Sequence, residues 1–362
     1  MRNLASIRKI SNITPIDGKD RIVLAQIDGW QVIVQKADFH TGDLCVYCEI
    51  DSVLPGKPEF EFLRTRGFRI KTMKMAGVIS QGICFPVSIL PYGDYKEGQD
   101  VTDIIGIKQY EPTMDVEKNP PSKNKIINFL MKYAKIINFL MRYAWFRKII
   151  WGSNNDSFPS QISKTDEIRI QENPSILQDK QKYIFTEKTD GQSGSFLMIR
   201  EKGVLKDKFK YVVCSRNRRL IKKDKSSYWY VSDRYNIEHV LRELIGNNDW
   251  VAIQGECIAP GVQKNKYKVI EPDLYVFNLI YPDGRKGSLE AKAIVEKYGM
   301  KFVPIVDSNA TLPDTVEDML ALAHGKSLIN PSILREGLVC RTPDGKHSFK
   351  AVDPLFLLHY DE

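Results

Sequence analysis

The sequence has little that would tie it to a membrane, a zinc ion or a disulfide scaffold. Met1 to Ile10 carries Arg2, Arg8 and Lys9 without the apolar core of a secretory leader. An intracellular, reducing location in the cytoplasm or nucleus is therefore expected. The apolar stretch 125–144 is interrupted by lysines too often for a membrane span. The six cysteines, Cys45, Cys48, Cys84, Cys214, Cys257 and Cys340, are scattered through a 362-residue chain that needs no staples. Cys45 and Cys48 form a Cys-x-x-Cys, but no second pair completes a zinc site. In CVYCEI they read as strand residues pointing to opposite faces.

What is present describes a globular protein with room for two domains: 43% apolar and 27% charged residues. The net charge of +8 suits an anionic partner such as nucleic acid, or simply a basic soluble enzyme.

Residues 1–110 read as a small β domain. Two strands, 21–27 and 30–34, are joined by Asp28-Gly29, a hairpin signal. A third strand at 44–50 and shorter ones near 69–71 and 82–87 follow. Five or so short strands with Gly/Asp/Pro turns fit a small barrel, of OB or SH3-like type. Arg64, Arg66, Arg69, Lys71 and Lys74 cluster here, interleaved with Phe62 and Phe68. Such a pattern binds nucleic-acid strands, or it is a solvated rim around core phenylalanines; the phenylalanines are read as core and the cations as RNA contacts. Residues 112–124 hold three prolines and read as linker. A direct repeat follows, KIINFLMKYA at 125–134 and KIINFLMRYA at 135–144. It has the spacing of a basic amphipathic helix that packs across two domains, or lies on RNA or a membrane surface.

From 166 onward strands mix with a few helices, an α+β pattern. Helices are expected at 238–244 and 289–298, and strands at 211–214, 250–254, 274–280 and 336–341. Tyr183-Ile184-Phe185 reads as a strand closed by Lys188-Thr189-Asp190-Gly191, and 192–199 as the next strand. A lysine at a strand end can act as a nucleophile. CSRNRR, QGECIAPGVQKNKY, YVFNLIY, EGLVCR and SFKAV follow in that order, six pieces within residues 183–352. One Lys-x-Asp-Gly arises by chance in many chains; the whole ordered series does not.

The series resembles the covalent nucleotidyltransferases, the polynucleotide ligases and mRNA capping enzymes. It is most similar to ATP-dependent RNA ligases with an N-terminal OB domain, and GWQVIVQKADFHTGDLCVYCEIDSVLP and GFRIKTMKMAGVISQG also look like that subfamily. The resemblance covers the chain except roughly 112–165. It implies an OB-fold at 1–110, a connecting segment at 111–165, and a nucleotidyltransferase domain at 166–362. That domain has ATP-grasp-like antiparallel sheets of the ligase type, with the nucleotide between them.

The resemblance also implies the chemistry. Lys188 attacks the α-phosphate of ATP and carries AMP. AMP then passes to an RNA 5′-phosphate, and the 3′-hydroxyl displaces it. A lysine is almost wholly protonated at neutral pH, so neighbouring cations and a bound metal are expected to disfavour its ammonium form. Asp190, Glu256 and Glu336 correspond to carboxylates around a divalent metal, Mg2+ or Mn2+. Glu256 also matches the ribose contact, Arg216 a phosphate contact, Phe277 the aromatic that stacks on adenine, and Glu187 and Lys350 further nucleotide contacts. Gly191 is expected to supply a permissive turn. Arg218, Lys264 and Lys266 join the five OB cations as candidate RNA contacts. Relatives often carry Lys-x-Lys in the last motif, where this chain has Ser348-Phe349-Lys350; either Lys346 or a neighbouring cation compensates, or one phosphate contact is absent. The expected substrate is RNA with 3′-hydroxyl and 5′-phosphate ends in a nicked duplex, and the expected state a monomer. The alternatives are an inactive nucleotide- or RNA-binding relative, a capping guanylyltransferase or a DNA ligase. The last two generally carry their OB domain after the final motif, where only about a dozen residues remain here.

Overall fold

A computed structural model describes residues 3–110, 157–203, 206–221 and 226–360. The prolines of the linker and the repeat at 125–144 lie outside the described residues.

The N-terminal part of the chain has an OB fold of short antiparallel sheets. One has the order Ala5–Lys9, Leu44–Cys48, Ile83–Pro86, and another has Asn12–Ile16, Lys19–Ile27, Trp30–Gln35. Alternation in the expected hairpin places Val23, Ala25, Ile27, Trp30, Val32 and Val34 inside, with Ile7, Val46 and Tyr47 from the first sheet. Cys45 and Cys48 are both buried, because this central strand is covered on both faces, and all six cysteines are free thiols. Phe68 packs against the core, as expected, but Phe62 is 60% exposed. Its ring only edges Phe85, at 6.3 Å between centroids.

The second region is built on two antiparallel sheets. The smaller has the order Ile305–Ala310, Tyr183–Glu187, Gly337–Arg341, Ser348–Val352. The larger runs Arg219–Leu220, Lys208–Cys214, Gln192–Glu201, Trp250–Ile258, Asp273–Tyr281, Gly284–Arg285. Helices Ser227–Arg234, Ile237–Leu244 and Ser288–Lys297 cover one face of the larger sheet. Ile237, Val240 and Leu241 recur at helical spacing and meet Phe196, Met198 and Val213 beneath. Each such aliphatic side chain contributes about 1.5–3 kcal/mol when fully buried. The sheets are tied together by side chains that leave this face.

The two regions touch at the hairpin tip. Gly29 N donates to Gln171 O at 3.0 Å. A Cβ on Gly29 would lie 2.7 Å from the Gln171 Cα, so a side chain there would push the regions apart. Asp51 receives Arg169 at 2.6 Å and Arg69 at 3.4 Å, and Leu357 of the terminal helix Pro354–Tyr360 packs on the OB core.

Candidate functional site

Lys188 follows the last residue of the Tyr183–Glu187 strand, and its N–H bonds Gly337 O at 2.9 Å. That pairing sets Lys188 beside Glu336, and the ammonium lies 2.6 Å from Glu336 Oε2. Strand alternation sends Glu187 to the other face. There both of its oxygens are taken, by Ser327 Oγ and Leu328 N, each at 2.6 Å. Glu187, expected among the nucleotide contacts, thus anchors the 327–330 turn instead.

Gly191 does not take a left-handed conformation, so its expected role in the turn is corrected. It is needed for space: a Cβ would sit 2.6 Å from Cys257 O. The close approach lets Gly191 N donate to Glu256 Oε1 at 3.2 Å, while Ser193 Oγ donates to Oε2 at 3.3 Å. Asp190 pairs with Lys266, and its N–H donates to Tyr267 OH at 2.9 Å. Lys266, expected to meet RNA, is turned inward by an unusual loop. Gln263, Lys264, Asn265 and Lys268 all have positive φ, from 46° to 57°, a conformation costly for such residues. Asn265 bonds both the N–H and C=O of Val269 and holds the loop in that shape.

Three carboxylates therefore surround Lys188. Burial pushes Glu256 up to about 8, with Lys188 opposing and Glu336 and Asp190 adding to the rise. Burial and Glu336 push Asp190 up to about 6 against Lys266 and Lys188. Lys188 itself is held above the usual lysine range: burial opposes charge, but Glu336, Glu256 and Asp190 outweigh it. The expectation of cationic neighbours is thus reversed, since carboxylates line this side. Surplus buried negative charge is what a hard divalent cation relieves. Asp190, Glu256 and Glu336 fit such an ion. Among the described residues no group of three or more His, Cys, Asp or Glu is arranged to hold a metal ion by itself.

A cationic group stands on the same sheet, two strands from Lys188. Lys350 Nζ lies 2.7 Å from Asp166 Oδ1, and Arg216, half-exposed, lies 3.6 Å from Asp166 Oδ2. Burial, with Arg169 and Lys188 nearby, lowers Lys350 to about 8 despite Asp166. Arg169 is buried, and its Nε and Nη1 have no hydrogen-bond partner. Asp166 and Arg169 went unnoticed in the sequence because they precede the motif series and only strand packing brings them to Lys350. Ser348 donates to Glu167 at 2.5 Å and accepts from Arg285 Nη2 at 3.0 Å. Lys346 instead pairs with Asp344 at the surface. The cation beside the departing position is therefore Arg285.

Phe277 is half-buried on the Asp273–Tyr281 strand. The OB cations are unequal. Arg64 forks onto Glu61, Arg66 meets Met73 Sδ at 2.6 Å, and Arg69 stacks 3.6 Å from the Tyr110 ring centroid beside Asp51. Lys74 is exposed and Lys71 half-buried. Arg69 thus belongs to the interface between the two regions rather than to an open RNA surface. Arg218 lies in a bridge with Ser157, and Lys264 is exposed.

Residues 4–87 match an OB-fold domain family, and residues 181–352 match the RNA ligase family. Similar solved structures include the Naegleria gruberi RNA ligase with pyrophosphate, at 32% identity and TM-score 0.80, covering 100% of this chain and 99% of that one. A glutamate-to-alanine variant of that enzyme with ATP and manganese is 29% identical, with TM-score 0.81 and full coverage of both chains. A lysine-to-methionine variant with AMP and manganese is 31% identical, with TM-score 0.80 and 99% coverage of each. No curated protein matches the sequence.

Proposed function

The chain belongs to the RNA ligase family and is an ATP-dependent RNA ligase that uses a divalent metal; from that premise we propose that Lys188 is its nucleophile. The observation that carries this is the placement of one lysine at a strand end among three carboxylates, with the cationic Lys350 on the same sheet. The amine of Lys188 forms a bond to the α-phosphorus of ATP as the bond to pyrophosphate breaks. AMP moves to the RNA 5′-phosphate, and the RNA 3′-hydroxyl then displaces AMP. Each transfer depends on alignment and charge neutralisation.

Glu336 Oε2 holds the Lys188 ammonium in place and lies within reach of its proton. Glu256, fixed by Gly191 N and Ser193 Oγ, faces the ribose. Phe277 stacks on the adenine, and Lys350, Arg216 and Arg169 attract phosphate oxygens. A divalent metal held by Asp190, Glu256 and Glu336 would offset charge on the α-phosphate. Asp190 is itself steadied by Lys266 and Tyr267.

The domain division at 1–110, 111–165 and 166–362 is part of the same reading, with the OB domain holding RNA. Exposed Arg64, Arg66 and Lys74 support it. The substrate is read as a nicked duplex and the protein as a monomer. Among the described residues no helix is long and apolar enough to cross a membrane. Six free thiols support a reducing compartment, cytoplasm or nucleus.

The test is incubation with metal and ATP labelled at the α-phosphate. Label should remain on the denatured protein, and Lys188→Ala should abolish it. Labelling from GTP instead would favour a capping activity, and no labelling a binding-only protein. Sealing of nicked duplexes faster than of free single strands supports the duplex reading; the reverse order removes it.

A further inference from the structure

The Asp273–Tyr281 strand pairs with Trp250–Ile258 in one register up to Gly255↔Val276 and in another from Gln254↔Asn278. Phe277 is the extra residue between them, a β-bulge. A bulge re-aims a side chain and takes backbone groups out of the ladder. The neighbours Val276 and Leu279 pack into the core beneath the helices. Phe277 is half-buried with its ring against the rim of that core, and its carbonyl needs a donor from elsewhere.

Arg341 supplies that donor. It sits on the other sheet, at the end of Gly337–Arg341, and is 3% exposed. Its Nη1 donates to Phe277 O at 2.6 Å, and its Cζ lies 5.9 Å from the Phe277 ring centroid. Its Nη2 bonds Glu167 Oε1 at 3.2 Å, and Glu167 is held in turn by Arg285 at 3.2 Å and Ser348 Oγ at 2.5 Å. A planar fork can satisfy two acceptors at a fixed separation, which an ammonium cannot. The guanidinium is therefore a strut from the sheet that carries Lys188 to the aromatic on the opposite wall.

We infer that Arg341 is a positioning residue for nucleotide binding: it caps the bulge at Phe277, fixes the ring against which the base stacks, and sets the gap between the two walls. This rests on the reading of Phe277 as the base-stacking residue. Glu167 serves the same unit by orienting the guanidinium. The strand carrying Lys350 joins it through Ser348, so base and phosphate contacts are set by one buried cluster.

The experiment measures KM for ATP and kcat of self-adenylation in the full chain for Phe277→Ala, Arg341→Met, Arg341→Lys and the Phe277→Ala/Arg341→Met double variant. Phe277→Ala should raise KM roughly ten- to a hundredfold, the range of a lost base stack. Arg341→Met should raise KM about tenfold with a smaller change in kcat, as for a lost charge-assisted hydrogen bond. Arg341→Lys keeps a charge opposite Glu167, and should preserve the melting temperature while leaving KM raised. The double variant should be no worse than Phe277→Ala alone. If Arg341→Met multiplies the Phe277→Ala defect in full, Arg341 acts elsewhere and the inference fails while the stacking reading stands. An unchanged KM in Arg341→Lys also overturns it. An unchanged KM in Phe277→Ala overturns the stacking reading itself, and the positioning role with it.

Discussion

Lys188 and Lys350 belong to the same four-stranded sheet, are both largely withdrawn from water, and have opposite electrostatic surroundings. Lys188 meets Glu336, Glu256 and Asp190 and is held as an ammonium above the usual range, although burial opposes it. Burial lowers Lys350 to about 8, and Arg169 and Lys188 add to the effect against a single carboxylate, Asp166. The same residue type is thus held charged at one position and lowered at the other. Burial alone does not separate them; the sign of the neighbours does. The surroundings of Lys188 thus make an acidic wall and those of Lys350 a basic one.

Removing the acidic wall's lysine should break the contrast entirely: Lys188→Ala should yield no protein-bound AMP, and an adduct of the mass of AMP on that variant would refute its role. Next in size, Glu336→Gln keeps the shape but removes a charge. It should slow adenylation about 10²–10³-fold, the scale of a lost electrostatic contact at a reacting centre. A rate within twofold of the parent at saturating metal would remove Glu336 from the site.

Lys350→Ala should cost roughly 10–100-fold in kcat/KM for ATP, as a lost hydrogen bond to a charged group does. The pH profile sharpens this. A lysine lowered to about 8 is charged below that pH and neutral above it. Lys350 should therefore contribute a fall in kcat/KM for ATP as pH rises through about 8, superimposed on the titrations of Asp190 and Glu256, because this ratio reports the free enzyme. Lys350→Arg should move the fall well upward; an unmoved profile assigns the titration to another group.

A smaller effect is expected at Asp51, whose carboxylate binds Arg169 at 2.6 Å from the OB side. Asp51→Asn should lower kcat/KM for ATP by about tenfold or less, the worth of one charge-assisted bond. No change would show that the OB domain leaves the basic wall untouched. Least of all, Lys74→Glu should weaken RNA sealing more than adenylation, and reduce the salt dependence of RNA binding by about one phosphate contact. Equal losses in both steps would argue against an RNA contact there.

Much of the architecture was legible in local pattern. The Lys19–Ile27 and Trp30–Gln35 hairpin lies where alternation and Asp28-Gly29 put it, and the helices at Ile237–Leu244 and Ser288–Lys297 lie within a residue of their expected bounds. The site was legible as a roster, since Lys188, Asp190, Glu256 and Glu336 do converge. Individual contacts were less so. Glu187 faces away because adjacent strand residues alternate. Lys266 faces inward because a left-handed loop turns it, and Gly191 is there for close packing rather than for a turn. Asp166, Glu167 and Arg169 carried no motif, Arg341 closed EGLVCR without an assigned role, and each acts on a partner far along the chain.

By itself the sequence determined the two-part α+β plan, the order of the motifs and the identity of the candidate nucleophile. Those follow from short-range periodicity, turn chemistry and residue type. Only the tertiary structure decided the sign of the field at each lysine, the bulge that aims Phe277 and the Asp51–Arg169 link. These depend on which groups meet across gaps such as the 118 residues between Asp51 and Arg169. Coulomb and hydrogen-bond energies are set by separation in space, which position in the chain does not specify.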